Sequence, residues 1–386
     1  MRILLIEPWQ TGSHQAWAEG YQAASSHEVA VIGLPGELWR WRLRGGALPL
    51  AEKLTTWIDM HGQPDLLLIS GLVDVAELLG LARRNLSPDV GVVIYQHESQ
   101  LVYPVADGNY DSGAALRNWM SWCVADLVLF NSYHHMRSVT EALPDFVAGL
   151  PDQTHVPMVD SVISRFEVFP VGVDLSSIPE PEPLSLLDEV SGRDGSETDR
   201  PIIVWPHRWE RDKDPAAFLN ALRTVRDEGL DFGLVLAGQD PPSGSAQAAE
   251  EREQAETEFA DHIVASGELD RDEYLERLVE ADLVVSCARH EFFGISVVEA
   301  VAAGCVPLLP NALSYPEVIR PPWHGTVLYE PGNFGKRLVD AVRRIDELKA
   351  ETIGLPQTMR RFDWSTMAAI YDDRLAAISD RLAAAA

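Results

Sequence analysis

Short aliphatic runs recur along the chain, each followed by enough residues for a helix. That alternation constrains the fold more than any other feature. Ile3–Ile6, Val29–Ile32, Leu66–Ile69, Val92–Tyr95 and Leu127–Phe130 form one series. Ile202–Trp205, Leu234–Ala237, Leu283–Ser286 and Val306–Leu309 form a second. Runs that are apolar at nearly every position suit strands covered on both faces, and hence parallel sheets flanked by helices. Stretches such as Pro215–Glu228 and Ala246–Phe259 supply the helical pattern between them. At 386 residues the chain is longer than one core usually supports. The expectation is an α/β protein of two Rossmann-like, doubly wound parallel-sheet domains facing across a cleft. Ser176–Arg200 holds Pro179, Pro181, Pro183, Gly192, Gly195 and many acidic residues, and reads as a solvated linker. It sets the domains at residues 1–175 and 201–365. The alanine-rich tail, residues 366–386, carries Ile370, Leu375 and Ile378 at helical spacing and is expected to pack back on the body as a helix.

Several classes of protein are disfavoured. The N-terminal run Met1–Ile6 meets Glu7 and Pro8 too soon for a signal peptide or a membrane span, and no other apolar run reaches membrane length. Cys123, Cys287 and Cys305 are odd in number and scattered, which suits reduced thiols in a cytoplasmic protein and matches no zinc spacing. A net charge of −28 repels nucleic acid over most of the surface, and is also the kind of balance found in salt-adapted hosts.

Two constellations in the second half suit an activated sugar. Arg208 and Lys213 lie in the loop after the run Ile202–Trp205 and before a helix near Pro215. A planar fork, a point charge and a helix N-terminus can together hold a diphosphate. The same loop carries Glu210, Asp212 and Asp214, so a salt-bridged loop is the plain alternative. Glu291 and Glu299 are eight residues apart around Phe292-Phe293-Gly294-Ile295. With a helix beginning near Gly294, Glu299 can accept hydrogen bonds from ribose hydroxyls, and the amides at the helix start can meet phosphate oxygens. Two ordinary surface glutamates are the alternative. In the first half, Trp39-Arg40-Trp41-Arg42-Leu43-Arg44 alternates aromatic and basic residues. If extended, it puts the tryptophans on one face for stacking a base and the arginines on the other for RNA phosphate. Buried tryptophans with solvated arginines would explain it equally.

These residues carry a resemblance. The Glu291–Glu299 segment resembles the donor site of retaining GT-B glycosyltransferases of family 4. Val204–Glu210 with Asp212–Pro215, His290–Gly294, Glu299–Val301, Gly304-Cys305 and Tyr315-Pro316-Glu317 are similar to the tRNA-queuosine α-mannosyltransferase family. So are Glu7, Gly12-Ser13-His14, Trp39, Trp41-Arg42, His97-Glu98, Gln100-Leu101, Tyr103-Pro104 and Asn131-Ser132. The resemblance implies transfer of mannose from GDP-mannose to the cyclopentene-diol of queuosine in tRNA. It implies a donor site of Gly12, Ser13, His14, Arg208, Lys213, Gly238, Glu291, Phe292, Phe293, Gly294, Ile295 and Glu299. Glu291 would hold the sugar, His97 would lie near the reacting carbon, and Arg208 and Lys213 would stabilise the leaving diphosphate. Trp39, Arg40, Trp41, Arg42, Arg44, His97, Glu98, Gln100, Tyr103 and Asn131 are the acceptor-side candidates. Retention and a front-face path also come from the resemblance. Guanine recognition would fall to loops around Gly238-Gln239 and Gly267-Glu268. No cofactor and no metal are expected, since fixed cations take the metal's place and no Asp-x-Asp pair suits a metal-bridged donor. Three alternatives stand: a family-4 transferase acting on another diol, lipid or glycan; a silent nucleotide-sugar- or tRNA-binding module; and an NAD-type dehydrogenase. The last lacks G-x-G-x-x-G after the first strand.

Overall fold

The computed structural model describes residues 1–103, 111–151, 155–181, 200–238 and 246–385. Pro104, Gln239 and the part of the expected linker from 182 to 199 lie outside the described residues. The chain divides into two compact units, Met1–Asp174 with Phe362–Ala386, and Leu175–Arg361.

In the first unit β1 (Arg2–Gln10), β2 (Glu28–Pro35), β3 (Leu66–Ser70), β4 (Gly91–Gln96), β5 (Leu127–Phe130) and β6 (Phe166–Val168) form one sheet in the order β2-β1-β3-β4-β5-β6. In the second, β7 (Ile202–Val204), β8 (Gly233–Ala237), β9 (Ile263–Gly267), β10 (Leu283–Val285), β11 (Val306–Pro310) and β12 (Leu328–Tyr329) run β12-β11-β10-β7-β8-β9. Every pairing is parallel. All nine aliphatic runs are strands, and their inward residues, among them Leu4, Ile6, Leu67, Ile69, Ile94 and Val128, are fully buried. The sequence reading missed β6, β9 and β12. All three lie at sheet edges, where a strand has one neighbour and its residues need not form an apolar run. Phe-Glu-Val and Ile-Val-Ala-Ser-Gly accordingly mix polar or small residues with apolar ones.

Each sheet has one place where the chain order reverses: between β1 and β3 in the first unit, and between β7 and β10 in the second. At such a point the loops leaving adjacent strands go to opposite faces and open a crevice beyond the strands' carboxyl ends. Both candidate sites lie at these two places.

The helix Trp364–Ala385 belongs to the first unit. Its buried face is Met367, Tyr371, Leu375 and Ile378, at spacings of four, four and three. Ile370, expected on that face, is instead exposed, because it falls one position short of the stripe. Trp364 docks against Gly20 and Gly172, where an added Cβ would sit 2.0 and 2.4 Å from the indole. Asp372 accepts from Tyr21 Oη at 2.8 Å, Ser25 Oγ at 2.6 Å, and Ser26 N and Oγ at 2.7 Å.

Candidate active site

In the second unit the loop after β7 begins on a packed aromatic base. The Trp205 ring stacks on Phe218 at 4.9 Å and meets Trp209 edge-on at 4.8 Å. This anchors His207, which is 4% exposed. Gly238, just past β8, touches the same loop: an added Cβ would lie 2.0 Å from the His207 carbonyl oxygen. The three nearest atoms, His207 O and C and Arg208 N, are all backbone, so Gly238→Ala forces a main-chain shift. Donor affinity is expected to fall about tenfold, read by calorimetry with a sugar nucleotide. Unchanged binding would mean that the loop tolerates the shift.

The chain then makes a short turn, Arg211–Lys213, and enters the helix Pro215–Asp227 through Asp214, whose φ is 53°. The loop after β10 is tied to this turn. Arg289 Nε donates to Asp214 Oδ2 at 2.7 Å, and Arg289 N to Asp212 O at 2.7 Å. Lys213 Nζ donates to His290 O at 3.0 Å and Glu291 Oε2 at 3.1 Å, and lies 3.2 Å from Asp212 Oδ2. Lys213 is 9% exposed, so this cation is fixed and mostly desolvated. Asp212 and Asp214, two residues apart, each face a cation. Gly294 caps the helix Ile295–Ala302 with φ 95°, a conformation that glycine adopts without strain. Ser314 Oγ donates to Phe293 O at 3.1 Å, and Phe292 and Phe293 are buried.

The structure therefore brings Lys213 and Glu291 together at the switch point of the second unit. Glu299 lies on the helix as expected, but its carboxylate is engaged by Arg271 at 2.6 Å and Tyr274 Oη at 3.3 Å. Arg208 is half-exposed and lies 3.3 Å from Glu210. His207, Arg271 and Tyr274 were given no role from the sequence, and Asp212 only as part of a salt-bridged loop, which its 3.2 Å contact with Lys213 bears out. Lys213's need for counter-charge once buried is the signal that points to Asp212.

Charge in this cluster is set by burial against pairing. Burial disfavours the Lys213 cation, but Glu291 and Asp212 outweigh it and raise its pKa. Burial pushes the Glu291 carboxyl up, but the charges of Lys213 and His207, with hydrogen bonds from Lys213 and Phe293, hold it at about 2. Burial, reinforced by Lys213, lowers His207 from 6.5 to about 4. Between those two values the unfolded chain binds a proton at this histidine that the folded chain excludes, so stability rises with pH there. Glu291 acts in the same direction between its unfolded value of 4.5 and about 2. Stability is expected to fall on acidification below 6.5, with His207 contributing about 3 kcal/mol. Denaturant melts of His207→Gln should lose that part of the slope and keep the part below 4.5. An unchanged slope would contradict the assignment.

In the first unit Gly12 opens the helix Gly12–Ala24 with φ 52°, Ser13 is exposed, and His14 turns back to β1. His14 Nδ1 lies 3.1 Å from Glu7 Oε1, which also accepts from Trp9 N at 2.9 Å. His97 follows β4, and its ring lies 4.1 Å from the His14 ring. Burial, then His14 and His135, keep His97 neutral well below the usual range. Asn131 Nδ2 donates to His97 O at 2.9 Å, and Gln100 Nε2 to Glu98 Oε1 at 2.9 Å, so these residues brace the loop after β4. Tyr103 closes the described part of that loop. Among the described residues, Glu7, His14 and His97 are a group of possible metal-ligating atoms within 4.8 Å of one another. The 3.1 Å His14–Glu7 separation is that of a hydrogen bond, which a proton satisfies.

Trp39–Gly45 is a helix, which corrects the extended strip considered from the sequence. Buried Leu43 anchors it, and Leu38 enters it with φ 56°. On a helix Trp39 and Trp41 point apart, not to one face. Trp39 is 40% and Trp41 59% exposed. The Arg40 guanidinium lies 5.3 Å over the Trp39 ring, Arg42 donates to Pro35 O at 3.0 Å, and Arg44 pairs with Asp111 at 2.8 Å. Among the described residues no helix is long and apolar enough to cross a membrane.

Known proteins give the same division. Residues 2–173 match the family model for the N-terminal part of tRNA-queuosine alpha-mannosyltransferase. Residues 188–353 match the model for glycosyl transferases group 1. A tRNA-queuosine alpha-mannosyltransferase of Drosophila melanogaster is 32% identical over 328 residues, 82% of this chain and 81% of that one. Among solved structures, sucrose-phosphate synthase from Thermosynechococcus elongatus superposes with TM-score 0.71 at 17% identity, covering 100% of both chains. Anabaena HepE in complex with UDP-glucose gives 0.66 at 18%, covering 98% of this chain and 100% of that chain. These structural likenesses establish the two-Rossmann (GT-B) fold. The identity to the Drosophila protein, over most of both chains and both units, places this chain in the tRNA-queuosine alpha-mannosyltransferase family of glycosyltransferases.

Proposed function

We propose that this glycosyltransferase moves mannose, with retention, from GDP-mannose to the cyclopentene-diol of queuosine in a cytoplasmic tRNA. The observation that carries the reading is the largely buried Lys213–Glu291 pair at the switch point of the second unit, beside the helix start at Gly294. As the glycosidic bond breaks, negative charge grows on the leaving diphosphate. Lys213 is already fixed and desolvated, so it stabilises that charge without reorganising. Arg208, half-exposed, closes on the same phosphates, and the amides at the start of the helix Ile295–Ala302 add partial positive charge. Glu291 accepts from hydroxyls of the transferred sugar, and Glu299 exchanges part of its contact with Arg271 for the ribose diol. The leaving phosphate takes the acceptor's proton on the same face. The fixed cations make a divalent ion at the diphosphate unnecessary.

Support for an RNA acceptor comes from the exposed helix Trp39–Gly45, a basic and aromatic surface on a chain of net charge −28. We assign it to docking the anticodon arm. The test is release of GDP from GDP-mannose with and without queuosine-containing tRNA. Release that rises strongly with that tRNA, and not with tRNA carrying guanosine in its place, is expected. Release indifferent to tRNA would reject the acceptor, and no binding of GDP-mannose would reject the donor.

A further inference from the structure

Glu7 is fully buried in β1, at the switch point of the first unit. A carboxylate there requires a partner that it can keep. Oε1 takes Trp9 N–H at 2.9 Å and His14 Nδ1 at 3.1 Å. Among the described residues Oε2 has no hydrogen-bond partner, and neither does His97 Nε2, which lies 4.0 Å from it. Ser70 Oγ is 3.5 Å from His14 Nδ1, too long to compete for that nitrogen. A carboxylate oxygen only accepts, so the His14–Glu7 contact requires the proton on Nδ1. In the neutral ring the lone pair is then on Nε2. His97, kept neutral, is packed between Trp17 edge-on at 4.8 Å and His14, so the His14 ring has a fixed wall on one side. The His14 side chain is 13% exposed while Glu7 is 0% exposed. The imidazole is therefore partly open to solvent and the carboxylate is not.

We infer that Glu7 is a positioning residue for the acceptor: its buried carboxylate fixes His14 in the Nδ1–H form, and His14 Nε2 accepts a hydrogen bond from a hydroxyl of the acceptor diol. This rests on the function proposed above. It moves His14 from the donor to the acceptor side, for a reason given by the two family models. The general glycosyltransferase model covers the unit with Lys213 and Glu291, whereas Glu7, His14 and His97 lie in the segment matched by the model specific to this family. Members of a broad glycosyltransferase group share the chemistry of the activated donor. What sets one family apart is the hydroxyl compound that it glycosylates. The role follows the general logic by which a buried carboxylate orients an imidazole toward its substrate.

The test uses the full chain and its Glu7→Gln and His14→Gln variants. Nitrogen NMR of protein labelled at histidine is expected to show His14 as the Nδ1–H form, and that signature should be lost in Glu7→Gln. Steady-state transfer to queuosine-containing tRNA is expected to fall about tenfold or more in kcat/KM for tRNA in both variants, with the KM for GDP-mannose within about twofold of the unmutated protein. An Nε2–H form or a doubly protonated ring in the unmutated protein would overturn the inference. So would a donor KM that moves with the acceptor KM. Zinc or manganese bound at one per chain and lost from Glu7→Gln would also overturn it, because a metal would then hold the two side chains. The NMR reads the tautomer whether or not transfer occurs, so failure here is separable from failure of the proposed reaction.

Discussion

Lys213→Ala is expected to lower transfer by about 10²–10³-fold or more and to cost the fold about 3–5 kcal/mol. The two losses have separate causes. On the proposed reaction, the catalytic loss is that of a fixed cation facing the leaving diphosphate. The stability loss arises because Lys213 Nζ serves Glu291 at 3.1 Å, Asp212 at 3.2 Å and the His290 carbonyl at 3.0 Å. Removing it leaves two carboxylates facing one another with their shared cation gone. Glu291, now held at about 2, would rise, since burial is then opposed by less. Denaturant unfolding measures the second loss, and transfer assayed well below the unfolding transition measures the first. A folded variant with full activity would remove Lys213 from the mechanism.

Glu291→Ala is expected to separate these effects. Lys213 keeps Asp212 as counter-ion and the His290 carbonyl as acceptor, so its charge is still compensated. The fold should lose less than in Lys213→Ala, about 1–3 kcal/mol, including the bond from Phe293 N at 3.3 Å. Transfer should nevertheless fall by a comparable factor of about 10²–10³, because the carboxylate proposed to hold the sugar is gone. Since the two residues touch, their effects should not add. A double variant little worse than Lys213→Ala is the expected sign of one functional unit. Additive losses would mean that the two act independently.

Much of this was legible in the sequence because the physics was local. A strand buried on both faces must be apolar throughout, so the nine runs marked every inner strand. Gly294 and Pro215 announced helix starts, one by its freedom at positive φ and the other as a proline at the first helical position. Three of the four edge strands escaped, because one open side relaxes their composition, whereas β2 kept an apolar run. The strip Trp39–Arg44 was read as extended, but it forms a helix whose buried residue is Leu43. The partners of Glu299 escaped because Arg271 and Tyr274 come from another helix, and only folding brings them near. From the sequence Glu7 marked the end of an apolar run and carried part of the resemblance, but no role in the site. A carboxylate directly after the apolar run Ile3–Ile6 is nevertheless a signal in its own right, since it cannot be buried there without a partner.

The most direct measurement is on the product. The purified protein is incubated with GDP-mannose and queuosine-containing tRNA, and the nucleosides of that tRNA are then analysed by mass. A hexose increment on queuosine, absent with Lys213→Ala, is the expected result. No increment on queuosine, with the same donor consumed on a different acceptor, would contradict the assignment of this site to tRNA.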